Sequence, residues 1–195
     1  MKCDVILAGV GGQGTLSIAA IIARAAVDAG LVVRQSEVHG MAQRGGAVLA
    51  HLRMARGPIA SDLVPEGGAD IIISMEPLES LRYAAWLNPE GVLVSSADPF
   101  INIPDYPACD DILSCIRRFP RHVLVQAAEN ARKAGNIRTV NVVMIGAASP
   151  FLPLSPDAVE RAVAGAFGAA PEIAAANREA FRRGREAAAN KTGAV

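Results

Sequence analysis

The strongest constraint on this chain lies within its first thirty residues. An apolar run at 3–8, CDVILA, leads directly into Gly9-Val10-Gly11-Gly12-Gln13-Gly14. Residues 15–29 follow, apolar around most of a helical circumference and charged only at Arg24 and Asp28. A short apolar run bounded by turn residues reads as a buried strand. An all-round apolar helix reads as a buried or interface helix. Gly30 is placed to stop that helix, as a glycine just past the last turn does. Residues 31–36 supply a second strand. A strand, glycine turn, helix and strand in this order predict a parallel crossover, which should be right-handed.

The rest of the chain continues the alternation. Strands are expected at 47–54, 69–74, 91–96 and 122–126. A linker at 55–68 holds Pro58 and Pro65, and helix 76–87 opens at Pro77, a favoured first-turn position. Asn88-Pro89-Glu90-Gly91 reads as a turn. Residues 98–107, with three prolines, read as an extended surface loop. Helices should follow at 127–134, 139–148, 156–167 and 171–190, the last anchored by Ile173 and Phe181. This order predicts an α/β fold. It is a Rossmann-like, mostly parallel sheet flanked by helices, with a helical C-terminal third. Residues 1–190 form one domain in this reading, and 191–195 a flexible tail.

Composition narrows the function. Hydrophobic residues are 51% and aromatics 4%, so the core must be built from Val, Ile, Leu and Ala. Nineteen basic residues balance nineteen acidic ones. No basic surplus points to nucleic acid or an anionic membrane. No apolar run is long enough to span a bilayer, and the chain reads as cytoplasmic. Cys3, Cys109 and Cys115 form no CxxC pattern, so no local ligand set for an iron–sulfur cluster or zinc is present. Reduced thiols are expected.

Gly9, Gly11 and Gly14 have the spacing and context of a dinucleotide-binding turn. Glycines there let the backbone turn tightly and let a ligand approach, while free N–H groups at the helix start face an anion. A ribose-binding acid is wanted near the end of the second strand, and Glu37 lies near that place. Three readings stay open: NAD or FAD, another anionic group held with help from Gly12 and Gln13, or close packing with no ligand.

The second concentrated signal lies in the polar, glycine-rich stretch 37–46, read as a loop. Arg44-Gly45-Gly46 can form an array of N–H donors beside a planar charged fork, with His39 and Gln43 nearby. In a doubly wound sheet this loop should share the carboxyl edge with the first turn. The alternative is a tight hairpin with Arg44 paired to Glu37. His39 is the better functional histidine; His51, within a strand, reads as structural. Arg53, Glu76 and Glu79 read as surface or interface groups, and Asp110-Asp111 as solvated charge or a helix cap.

These two segments, GVGGQG after the first strand and EVHGMAQRGGAV after the second, together resemble the γ-type domain of 2-oxoacid:ferredoxin oxidoreductases. The run HGMAQRGG resembles the small β subunit of the indolepyruvate type. NPEG and NVVMIGA, residues 141–147, also fit, and the likeness spans about residues 3–185. The resemblance implies a cofactor-free subunit, inactive alone, working with a large α subunit. That subunit is expected to carry thiamine diphosphate, Mg and iron–sulfur clusters, and to pass electrons to ferredoxin. Coenzyme A is the expected co-substrate and aryl pyruvates the expected oxoacids. Gly9, Gly11, Gly12, Gln13, Gly14, His39, Gln43, Arg44, Gly45 and Gly46 are the expected contacts with an anion, coenzyme A or the partner. No catalytic or metal-binding residue is expected here. The isolated chain is expected to pair with itself through apolar surface meant for its partner. An independent NAD or FAD enzyme and a purely structural assembly module remain the alternatives.

Overall fold

A computed structural model of the chain describes residues 1–39, 45–167 and 170–192. Among them, six strands form one mixed sheet: β1 Lys2–Val10, β2 Val32–His39, β3 Ala47–Ala55, β4 Ala69–Ser74, β5 Leu87–Ser96 and β6 His122–Val125. The spatial order is β2-β3-β1-β4-β5-β6. β1, β4, β5 and β6 pair in parallel; β3 is antiparallel to both β1 and β2. Three parallel pairings and two antiparallel ones thus make up the sheet. β2 runs in the same direction as β1 but does not touch it, because β3 lies between them.

The helices are α1 Thr15–Asp28, α2 Pro77–Arg82, α3 Cys109–Ile116, α4 Ala127–Lys133, α5 Val140–Ala148, α6 Pro156–Ala166 and α7 Pro171–Thr192. Alternate strand residues face opposite layers. Cys3, Val5 and Leu7 of β1 and Ile71 and Ile73 of β4 pack with α1 and α4 to α7. Ile6, Ile72 and Leu93 pack instead with Ile112 and Ile116 of α3 and with Leu78 and Leu81 of α2. β1 therefore buries both faces, which is why it reads as a continuous apolar run rather than an alternating one. Each fully buried Ile or Leu contributes about 1.5–3 kcal/mol.

At the amino edge of the sheet, Asp4 is fully buried and accepts a two-point contact from Arg53, Nε to Oδ1 at 2.9 Å and Nη2 to Oδ2 at 3.0 Å. Arg53 Nη1 also donates to the Ser61 and Leu63 carbonyls, each at 3.0 Å. Arg53 is thus a clamp on the linker, not a surface group. Glu76 and Glu79 are likewise buried rather than exposed.

Several expectations need correction. The stretch after Ser36 is not loop at its start: β2 continues through His39 on backbone pairing with β3. Asn88 to Gly91 lie within β5, which shifts register against β4 there. The helix expected at 76–87 ends at Arg82 and is followed by a 3-10 turn, Ala84–Trp86. Asp110 and Asp111 occupy the first turn of α3. Phe181 is buried as expected, but Ile173 is exposed. α7 continues through Thr192, and residues 193–195 lie outside the described residues.

Candidate functional site

β1 delivers its glycines to the carboxyl edge of the sheet, and α1 starts five residues after β1 ends. Gly12 and Gly14 turn the chain between them with φ of +100° and +86°. A side chain in that region costs roughly 1–2 kcal/mol, so glycine is required there. Gln13 locks the bend. Its Oε1 accepts from Val10 N at 2.8 Å, its Nε2 donates to the Met75 carbonyl at 3.4 Å, and its own amide donates to the Val10 carbonyl at 3.1 Å.

The second turn lies against the first. Gly11 N donates to the Gly46 carbonyl at 2.8 Å, and Gly45 N donates to the Gly11 carbonyl at 3.4 Å. The register explains this, because Val10 pairs with Ala47 and the two turns leave the same end of β1 and β3. Asn102 closes the group, donating from Nδ2 to the Gly45 carbonyl at 2.7 Å.

This packing consumes the amides of Gly11, Gln13 and Gly45. Among the described residues, the amides of Gly12, Gly14, Thr15, Leu16 and Ser17 have no acceptor. The last three are the orphan donors of a helix start, and the first turn of α1 has no acidic residue to satisfy them. The Thr15 hydroxyl is buried and also unpartnered. It faces Gly9, lying 2.5 Å from where a Cβ there would stand. Asn141 of α5 borders Gly14 and keeps its Oδ1 on the Val142 amide at 3.0 Å. The rim is therefore a row of donors, chemically suited to an anion.

Glu76, beside this rim, is 1% exposed and fully used. Its Oε2 accepts the Glu79 amide at 2.8 Å and caps α2. Its Oε1 accepts Phe100 N at 3.3 Å and the Tyr106 hydroxyl. Burial, and then the hydrogen bond to Glu76, push the Tyr106 hydroxyl well above the usual phenol range. The segment from Asp98 to Pro107 is thereby tied down as a strap. Asp98 fixes its other end, its Oδ2 accepting the Ala128 amide at 2.8 Å.

Gly9, Gly11, Gly12, Gln13, Gly14, Gly45 and Gly46 thus share one rim. His39 is the last residue of β2, in register with Val48, which pairs in turn with Gly9. Gln43 and Arg44 lie outside the described residues. Thr15, Glu76 and Asn102 belong to the site but carried no sequence signal; Asn141 did, within NVVMIGA. Glu37 sits on β2, with β3 between it and β1. A dinucleotide fold needs that carboxylate on the strand next to the glycine turn. Among the described residues no group of His, Cys, Asp and Glu could hold a metal ion, and no helix is long and apolar enough to cross a membrane.

Residues 4–187 match the family described as pyruvate ferredoxin/flavodoxin oxidoreductase. The chain belongs to this family. Within the pyruvate ferredoxin/flavodoxin oxidoreductases it is similar to indolepyruvate oxidoreductase subunit IorB of Archaeoglobus fulgidus, 41% identical over 84% of this chain and 85% of the relative. The subunit of the same name from Thermococcus kodakarensis is 36% identical over 97% and 98%. Among solved structures, a keto/oxoacid ferredoxin oxidoreductase gamma subunit from Geobacter sulfurreducens shares the fold with a TM-score of 0.72 at 23% identity. That match covers 96% of this chain and 99% of that one. A 2-oxoglutarate:ferredoxin oxidoreductase from Magnetococcus marinus gives 0.75 at 20% identity, covering 97% of this chain but 31% of a longer one.

Proposed function

We propose that the chain is the small, redox-centre-free subunit of a cytoplasmic indolepyruvate-type 2-oxoacid:ferredoxin oxidoreductase. The complete enzyme converts an aryl pyruvate and coenzyme A to the acyl-CoA and CO2, reducing ferredoxin. Thiamine diphosphate, with its Mg, and iron–sulfur clusters on the large subunit supply decarboxylation and electron transfer. The small subunit is inactive alone. Its part is to hold an anionic portion of coenzyme A at the rim of free amides, with Arg44 as the charged member. His39 and Gln43, on the segment between the two glycine turns, face the large subunit in this reading.

The observation that carries the proposal is the row of unsatisfied donors at Gly12 and Gly14 to Ser17, held open by the ladder between Gly11 and Gly45-Gly46. Relatives named as indolepyruvate oxidoreductase subunits over most of their length support the choice of enzyme. In the complex assembled with its large subunit, Arg44→Ala should raise the KM for coenzyme A roughly tenfold, as loss of one charge-assisted contact does. Assembly and the KM for the oxoacid should not change. An unaltered KM for coenzyme A would leave the ladder as packing alone.

A further inference from the structure

The strap raises a question that the anion rim does not answer. It runs past the rim and is fixed by the Glu76 carboxylate, by Asp98 and by Asn102 on Gly45. Yet it holds its large apolar side chains in water: Phe100 is 43% exposed, Ile101 73% and Ile103 41%. Three large exposed hydrophobics within four residues, on backbone tied at both ends, form a patch rather than scattered exposure. Restraining them before contact removes much of the ordering cost of binding. The flank is acidic. Asp105, Asp110 and Asp111 are exposed, and none has an ion-pair partner among the described residues.

We infer that the strap at Phe100 to Ile103 is the docking ridge for the large catalytic subunit, which meets it with an apolar surface edged by basic residues. The inference rests on the functional reading above. Two observations choose this occupant over a second copy of the chain. In the Magnetococcus marinus protein the same fold occupies only 31% of a longer chain, so the fold packs beside further domains. Relatives matched over most of their own length are named as subunits, so in them other chains carry the rest of the enzyme. The ridge also touches the rim itself through Asn102, where the subunit completing the site must approach. Two copies meeting ridge to ridge would set the acidic flanks against each other, which opposes self-association.

The test uses the full chain and a tagged large subunit, with binding measured at low and high salt. Ile101→Asp should weaken the complex at least tenfold while the thermal midpoint of the isolated chain stays unchanged, since that side chain is largely in water. The milder pair Ile101→Ala and Ile103→Ala should weaken it by less. Neutralising the three acids (Asp105→Asn, Asp110→Asn, Asp111→Asn) should slow association and flatten its dependence on salt. Wild-type affinity in Ile101→Asp overturns the ridge. So does a substitution that alters only self-association of the isolated chain. If the unmodified chain fails to bind the large subunit at all, the functional reading itself falls.

Discussion

His51 ties the long linker to the sheet with one imidazole nitrogen. It is buried in β3, and its Nδ1 accepts the Val64 amide at 3.2 Å. Burial first, and the Arg53 charge second, hold its pKa below the ordinary 6.5. Protonation would turn that acceptor into a donor facing an N–H. A histidine depressed in the folded state contributes stability that is full above its unfolded pKa and lost as pH falls through the folded one. The thermal midpoint should therefore start to drop as pH falls through about 6.5, where the unfolded imidazole takes up its proton. His51→Asn should flatten that part of the profile, and a slope equal to wild type would assign it to other groups. The thiols give a second check. Burial, followed by the Asp70 and Asp4 charges, pushes Cys3 up to about 12, whereas Cys115 is exposed. With a disulfide reagent near neutral pH, Cys115 should react first and Cys3 only on unfolding, because the thiolate is the reactive form. Early modification of Cys3 would mean that the amino edge opens readily.

Elements were legible where burial dictated composition. β4 could be read end to end from ADIIIS because apolar β-branched residues fill both of its faces. The last residues of β2, Glu37 to His39, were not, because an edge strand there is held by backbone pairing, which leaves no apolar pattern. α3 was missed because eight residues with a short buried stripe, Ile112 and Ile116, give little periodicity to find. In the candidate site, glycine spacing revealed the first turn because its backbone needs glycine. Asn102 and Glu76 stayed hidden because their contacts join segments far apart in sequence. The crossing of α5 and α7 was hidden likewise. A Cβ at Gly184 would lie 2.0 Å from the Val143 carbonyl oxygen, and one at Gly146 would lie 2.2 Å from that of Phe181. Gly184→Ala should cost about 1–3 kcal/mol through overpacking, lowering the melting midpoint by about 2–4 °C per kcal/mol. Gly165→Ala, in α6 with open space around it, should instead gain about 0.5–1 kcal/mol. Equal effects from the two would mean that the α5–α7 contact is looser than its geometry indicates.

At the scale of the molecule, the sheet divides its labour between its two edges. The amino edge is closed by charge pairs among Lys2, Asp4 and Arg53, which anchor the linker. The carboxyl edge keeps donors unsatisfied at the rim and apolar side chains uncovered on the strap. Groups left this way stabilise nothing in the isolated chain, because water already satisfies the one and gains nothing from the other. Their contribution can come only when something covers them. Hydrogen exchange separates the two coverings. In the isolated chain, the amides of Gly12 and of Gly14 to Ser17 should exchange fast, although α1 behind them is firmly packed on the sheet. Adding the large subunit should slow exchange across residues 100–106 whether or not coenzyme A is present. Adding coenzyme A to the assembled complex should then slow the five rim amides, and dephosphorylated pantetheine, which lacks the anionic groups, should not. Protection of the rim by pantetheine would show that contact with the uncharged arm, rather than anion binding, fills it. Equally fast rim exchange in every state would leave the glycine turns as packing devices alone.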